Sequence, residues 1–156
     1  MNRTLGPVPT WAVVTTFFLS LVGLALATYL TITHFEPQDL FCTDKGFVNC
    51  GVVTTSGQSR FLGIPVAFLG LGTYLVMTVL NSPWGWRAKN YWLHVARFVL
   101  AIISMCFVLW LLYAELIIID NLCLYCTGVH VVTFALLIVL TRVSPAQLGW
   151  VKSRPE

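Results

Sequence analysis

LCLYCTGVHVVTFALLIVL, Leu122–Leu140, joins a C-x-x-C pair to an apolar run that carries no formal charge. The run has the length a helix needs to cross a bilayer, about 20 residues. Read as a helix, it puts Cys123 and Cys126 one turn apart on one face, the spacing at which side chains meet. His130 continues that face one turn deeper. The first helical turn has unpaired backbone N–H groups and the positive end of the macrodipole, and both favour a thiolate over a thiol. A thiol placed there is a nucleophile. A single C-x-x-C serves either thiol–disulfide exchange or half of a zinc site, so the rest of the chain has to choose.

The rest is equally apolar. Of 156 residues, 58% are hydrophobic and 10% charged, and the mean hydropathy is +0.84; in soluble domains roughly a quarter are charged. This composition reads as an all-α integral membrane protein, a four-transmembrane-helix bundle. Working back from the span at 122–140, Asp120-Asn121 make a turn. The third span is 91–119, longer than the membrane requires, so it tilts or projects at one end. Asn81–Asn90, with Pro83, Trp84, Trp86, Arg87 and Lys89, reads as a short interfacial turn. The second span is 61–80, with Pro65 in its first turns, where proline costs least, and with Gly63, Gly70 and Gly72 offering a flat surface to a neighbour. The first span, 11–32, is too long for a signal-peptide core and no A-x-A-like site follows, so it stays as an anchor. Between the first two spans, Thr33–Arg60 is a large polar loop with Glu36, Pro37, Asp39, Asp44 and Lys45. One membrane domain, 1–142, and a tail, 143–156, are expected, with no room for a soluble domain.

Charge sets the orientation. Arg3, Arg87, Lys89, Arg97 and the tail residues Arg142, Lys152 and Arg154 fall on one side of a four-span chain. By the positive-inside rule that side is cytosolic. The long loop is then extracytoplasmic, and Cys42, Cys50, Cys123 and Cys126 share the outer face, where disulfides form and persist. The fifth cysteine, Cys106, is a small apolar residue within the third span. A net charge of +3 does not imply nucleic acid.

Two pairs on one face suggest a relay. Cys42 and Cys50, with seven residues between them in a flexible loop, can close a disulfide, and exchange needs only that a thiolate reach a disulfide sulfur. Electrons reaching Cys123 and Cys126 face the lipid, where a membrane-soluble quinone is the natural acceptor. His130 either bonds a neighbouring helix or serves a quinone carbonyl with a hydrogen bond or proton. Glu115 is either an interfacial carboxylate that reaches water or a proton carrier. Trp110, Tyr113 and Tyr125 either line a quinone pocket or belong to an aromatic belt.

In sum these motifs resemble the vitamin K epoxide reductase family, from the first span to the fourth. The parts that match are the wide pair Cys42 and Cys50, Ser56 six residues after Cys50, the F-L-G-I-P at Phe61–Pro65, and C-L-Y-C opening the last span. The order, wide pair first and C-x-x-C last, distinguishes it from the DsbB family, whose C-x-x-C lies in the first outer loop. The resemblance implies a relay. A partner's thiols reduce Cys42–Cys50, Cys50 exchanges with Cys123, and Cys126 reduces a bound quinone (menaquinone, ubiquinone or vitamin K). It also implies that Ser56 shapes the quinone pocket. Vertebrate members have asparagine at the position of Ser59 and tyrosine at that of His130, both on the vitamin K head group, so epoxide reduction is not what this chain points to. Gly63-Ile64-Pro65 looks like bacterial members, which reoxidise a thioredoxin-like periplasmic thiol oxidase. Here that partner is expected to be separate, with nascent exported proteins as the other possible electron donors, and the location the bacterial cytoplasmic membrane.

Other readings are a vitamin K quinone or epoxide reductase of the endoplasmic reticulum membrane, a carrier holding a soft metal on four thiolates, and a scaffold with purely structural disulfides. No resident metal is expected.

Overall fold

The computed structural model describes residues 5–36, 41–42 and 46–150. Arg3, Pro37, Asp39, Asp44, Lys45, Lys152 and Arg154 lie outside the described residues. In chain order the elements are α1 (Thr10–Phe35), α2 (Cys50–Thr55), a 3-10 turn (Gly57–Ser59), a hairpin of β1 (Arg60–Phe61) and β2 (Ile64–Pro65), and α3 (Val66–Asn81). There follow α4 (Pro83–Arg87), α5 (Tyr91–Tyr113), a π-helical turn (Ala114–Ile119) and α6 (Leu124–Gln147). Among the described residues, three helices are long and apolar enough to cross a membrane: Thr10–Phe35, Tyr91–Ile119 and Leu124–Gln147. The fourth expected span, α3, is an apolar helix of 16 residues, roughly 24 Å long at 1.5 Å per residue.

α1 shows why these helices associate. Its buried face is Ala12, Thr16, Ser20, Gly23 and Ala27, a stripe of small residues at helical spacing, while Val14, Phe18 and Leu21 point outward. Without a hydrophobic drive between helices in lipid, close backbone approach supplies the packing. The Thr16, Ser20 and Thr31 hydroxyls donate to the carbonyls four residues back, at 2.8, 2.7 and 2.7 Å, so the polar stripe is satisfied. A Cβ at Gly23 would collide with the buried Tyr74 ring and force it to move. Tyr74 in turn bonds the Thr133 hydroxyl at 2.9 Å and donates to the Val129 carbonyl at 3.2 Å, tying α3 to α6.

The end of the bundle that holds α4 is closed by a polar cluster. Arg97, fully buried, lies with its guanidinium carbon 3.7 Å from the Trp86 ring centroid. Its Nε and Nη2 donate to the Leu80 carbonyl, Nε at 3.1 Å. His94 Nδ1 accepts from Arg97 at 3.0 Å and from Gln147 at 3.2 Å, which leaves Nε2 to donate to the Ala88 carbonyl at 2.8 Å. Asn81 donates to the Ser20 hydroxyl at 2.9 Å and the Trp86 indole to Thr16 at 3.2 Å.

Several sequence expectations are corrected. Residues 61–65 are not helical: Leu62 (φ 52°) and Gly63 (φ 84°) turn the chain between β1 and β2, the pair of positive φ values that a two-residue hairpin turn needs. α3 therefore starts at Val66, with Pro65 as its N-cap. The 81–90 segment contains a helical turn, α4, rather than a simple connection. α6 runs on beyond 140 through Pro145, because Val143, Ser144 and Gln147 are buried and the Gln147 carbonyl accepts from the Gly6 N–H at 2.9 Å. The expected boundary at 142 therefore falls inside a helix. Cys106 is exposed on the outer side of α5.

Candidate functional site

The site is built where the backbone departs from regular helix. Cys123 is the N-cap of α6, and its Sγ accepts the Cys126 N–H at 3.3 Å, the role a serine hydroxyl takes at such a position. Its pKa lies below the ordinary thiol value, first because the Cys126 thiol donates to it, and also through the Cys126 and Tyr125 N–H groups, against burial and the Glu115 charge. Both thiols are free.

Cys42 and Cys50 form a disulfide, with Cα atoms 6.0 Å apart. This pair is stitched to the C-x-x-C by backbone. Val48 and Leu122 form a parallel bridge, Asn49 N–H donates to the Leu122 carbonyl at 3.0 Å, and Leu122 N–H donates to the Phe47 carbonyl at 2.9 Å. The residues immediately before Cys50 and Cys123 are thus held side by side. Cys50 and Cys123, both 0% exposed, share one apolar cluster with Leu30 and Val53, against which Cys42 and Cys126 pack. Asn49 caps α2, its side chain accepting the Val52 N–H at 3.0 Å, so Cys50 opens a helix as Cys123 precedes one.

Beneath the pairs, a cavity of about 430 Å³ runs between α1, α3, α5 and α6 under a roof of α2, the 3-10 turn and the hairpin. Its lining brings together Cys126, Ser56, Ser59, Glu115 and His130, all five singled out in the sequence. Cys42, Cys50 and Cys123 stand above it and do not line it. The Ser56 and Ser59 hydroxyls donate to the Val53 and Ser56 carbonyls, at 2.8 and 2.6 Å, and shape the roof from within.

Glu115 does not reach water as an interfacial carboxylate would. It is 4% exposed, sits on the π-helical turn and faces the Cys123 N–H and the Cys126 thiol. A π turn carries an extra residue and re-aims the side chains that follow. Glu115 Oε2 and His130 Nδ1 are both buried without a hydrogen-bond partner among the described residues. Buried polar atoms are rarely left so, and these two residues border the same cavity.

The aromatic expectation divides differently. Trp110, Tyr113 and Tyr125 do not line the cavity; Trp110 stacks on Phe107 and meets Phe61 of the hairpin, with centroids at 6.0 and 6.3 Å. The sequence reading missed Tyr74, Thr133, His34 and Gln58, which do line it. A tyrosine in the middle of an apolar run was the signal for Tyr74; the others had none.

Across the described cysteines and the helices that frame them, the family model described as the vitamin K epoxide reductase family matches residues 14–141. That stretch contains both cysteine pairs, the cavity residues, all of α3 and α5 and most of α1 and α6. The chain therefore belongs to the vitamin K epoxide reductase family, membrane thiol–disulfide oxidoreductases that use quinones as electron acceptors.

Proposed function

We propose that this chain is a quinone-dependent thiol oxidase that drives disulfide formation, with Cys42 as the external contact and Cys126 as the donor to quinone. The observation that carries this reading is the placement of Cys126 in the wall of an apolar cavity with Ser56, Ser59, Glu115 and His130, directly under a disulfide tied to its partner thiol.

Burial orders the steps. Cys42 is partly exposed while Cys50 is fully buried. A thiolate of a thioredoxin-like partner attacks Cys42 Sγ, the Cys42–Cys50 bond breaks, and Cys50 leaves as a thiolate. The partner's second thiol displaces Cys42, so the partner ends oxidised and the loop pair reduced. Cys50 then attacks Cys123 of a Cys123–Cys126 disulfide and releases Cys126. Cys42 closes on Cys50, and the C-x-x-C pair is left as a dithiol. Cys123 and Cys126 pass two electrons to the quinone and re-form their disulfide, and the quinol takes up two protons, one from Cys126 by way of Glu115 and one from water. The lowered pKa of Cys123 keeps it a thiolate for that closure, and Glu115 takes the Cys126 proton.

The cavity residues fit such an acceptor. A quinone presents a flat apolar ring and two carbonyl oxygens; the apolar walls suit the ring, and the Ser56, Ser59, Glu115 and His130 side chains supply polar groups beside it. Ser59 and His130, where the chain departs from vertebrate members, both belong to this wall, which favours a simple quinone over an epoxide. In the membrane, α3 completes a fourth crossing with the hairpin. The cysteine end faces outward from the bacterial cytoplasmic membrane, and the Arg87–Lys89 end and both termini lie in the cytosol.

Stopped-flow reduction of a menaquinone or ubiquinone analogue by the purified, pre-reduced protein tests this. Wild type turns quinone over, Cys126→Ala does not, and Cys50→Ala gives one turnover but fails to oxidise an added dithiol protein. Absence of quinone reduction by wild type contradicts the proposal.

A further inference from the structure

Among the described residues the loop disulfide is held at two points, and only one is the backbone bridge to Leu122. The other is Phe41, the residue before Cys42. Its N–H donates to the Tyr29 hydroxyl at 2.9 Å, and its carbonyl accepts the Tyr125 hydroxyl at 2.7 Å. The two rings lie with centroids 4.7 Å apart. Tyr125 has a single hydroxyl proton and gives it to the Phe41 carbonyl, while the Tyr29 hydroxyl oxygen receives the Phe41 N–H. Two neighbouring phenols thus hold both polar groups of one backbone residue.

The Phe41 side chain is 84% exposed, so burial does not fix this residue. Tyr125 sits inside the C-x-x-C itself, between Cys123 and Cys126, and Tyr29 lies on α1 one residue before Leu30, which packs on Cys50 and Cys123. The two hydrogen bonds therefore tie the backbone beside the outer sulfur to the inner motif and to α1 at once.

We infer that Tyr29 and Tyr125 are positioning residues, a phenol clamp that holds the Cys42 arm of the loop over the C-x-x-C so that Cys50 can exchange with Cys123. This rests on the relay reading above. Exchange requires an in-line approach of sulfur to disulfide. A loop anchored only at Val48 would visit that approach less often. Neither tyrosine touches the cavity, so the clamp acts on the transfer between pairs and leaves the quinone step alone.

Two assays on Tyr29→Phe, Tyr125→Phe and the double variant separate these steps. In the first, reduced thioredoxin is the electron donor, and quinone reduction requires transfer between the pairs. In the second, the protein is fully pre-reduced with dithiothreitol, and its first turnover requires no transfer. The first rate falls roughly fivefold in each single variant, as expected for one lost hydrogen bond. It falls further in the double variant, which loses both bonds to Phe41. The second rate stays at the wild-type value, and backbone exchange at Phe41 and Cys42 quickens. An unchanged first rate, an equal fall in both rates, or unaltered exchange at Phe41 overturns the clamp. If wild type reduces quinone in the second assay but never in the first, the relay reading fails too, whatever the tyrosine variants do.

Discussion

The two ends of the bundle both bury polar side chains, and they do so for opposite ends. Around Arg97 the groups answer one another: Leu80, His94 and Trp86 surround the guanidinium, Gln147 donates to His94, and Asn81 and Trp86 reach across to Ser20 and Thr16. Two amide oxygens there, of Asn81 and Gln147, lack partners among the described residues, though each amide nitrogen is used. Around Cys126, Glu115 Oε2 and His130 Nδ1 have no partner among the described residues, and both side chains border a cavity. The first arrangement locks helices together; the second, on the proposed function, is where the quinone is received. Backbone follows the same division. The cysteine end is made of a six-residue helix, a 3-10 turn, two-residue strands and a π turn, irregular backbone of the kind a membrane protein keeps only where it lines a cavity or is covered by protein.

Substitutions on the two ends should therefore separate stability from activity. Arg97→Met removes the donors to Leu80 and His94 and leaves buried acceptors unpaired. We expect a loss of about 3 kcal/mol in denaturation of the detergent-solubilised protein, with quinone reduction per folded molecule unchanged. Glu115→Gln should do the reverse. A positioned acid–base group contributes about 100-fold or more, so single-turnover quinone reduction slows by about that factor while the melting temperature holds or rises. If Arg97→Met instead slows the chemistry, or Glu115→Gln only destabilises, the division between the ends is wrong.

The smallest effect concerns Cys123 alone. Its pKa is depressed chiefly by the Cys126 thiol, so its thiolate persists to lower pH than that of an ordinary cysteine. Cys126→Ala removes that donor, the pKa rises, and the pH midpoint for alkylation of Cys123 by a small reagent moves upward. A midpoint that stays put, or moves down, would assign the effect to the helix terminus instead.

How much of this was legible before the structure depends on range. Cys123, Cys126 and His130 share a helix, and their relation follows from 3.6 residues per turn. The two cysteine pairs and the long apolar helices were readable from pattern and charge. Phe61–Pro65 was misread, because Leu-Gly in an apolar run reads as membrane helix, whereas a hairpin is usually announced by Asn-Gly or Asp-Gly. Glu115 turned inward because a π turn shifted its register, which no spacing rule anticipates. The Arg97 cluster and the Tyr29–Tyr125 clamp join residues far apart in sequence, and a basic residue near a span end or a tyrosine near a membrane surface has an adequate local explanation without them.

The central claim is that the cavity under the disulfide receives the quinone, and covalent labelling with a photoreactive azidoquinone tests it most directly. The label should map to the segments carrying Ser56, Ser59, Glu115 and His130, and an excess of unmodified quinone should suppress it there. Label confined to the Arg97 end or to the lipid-facing side of α5, with the cavity segments untouched, would contradict the account.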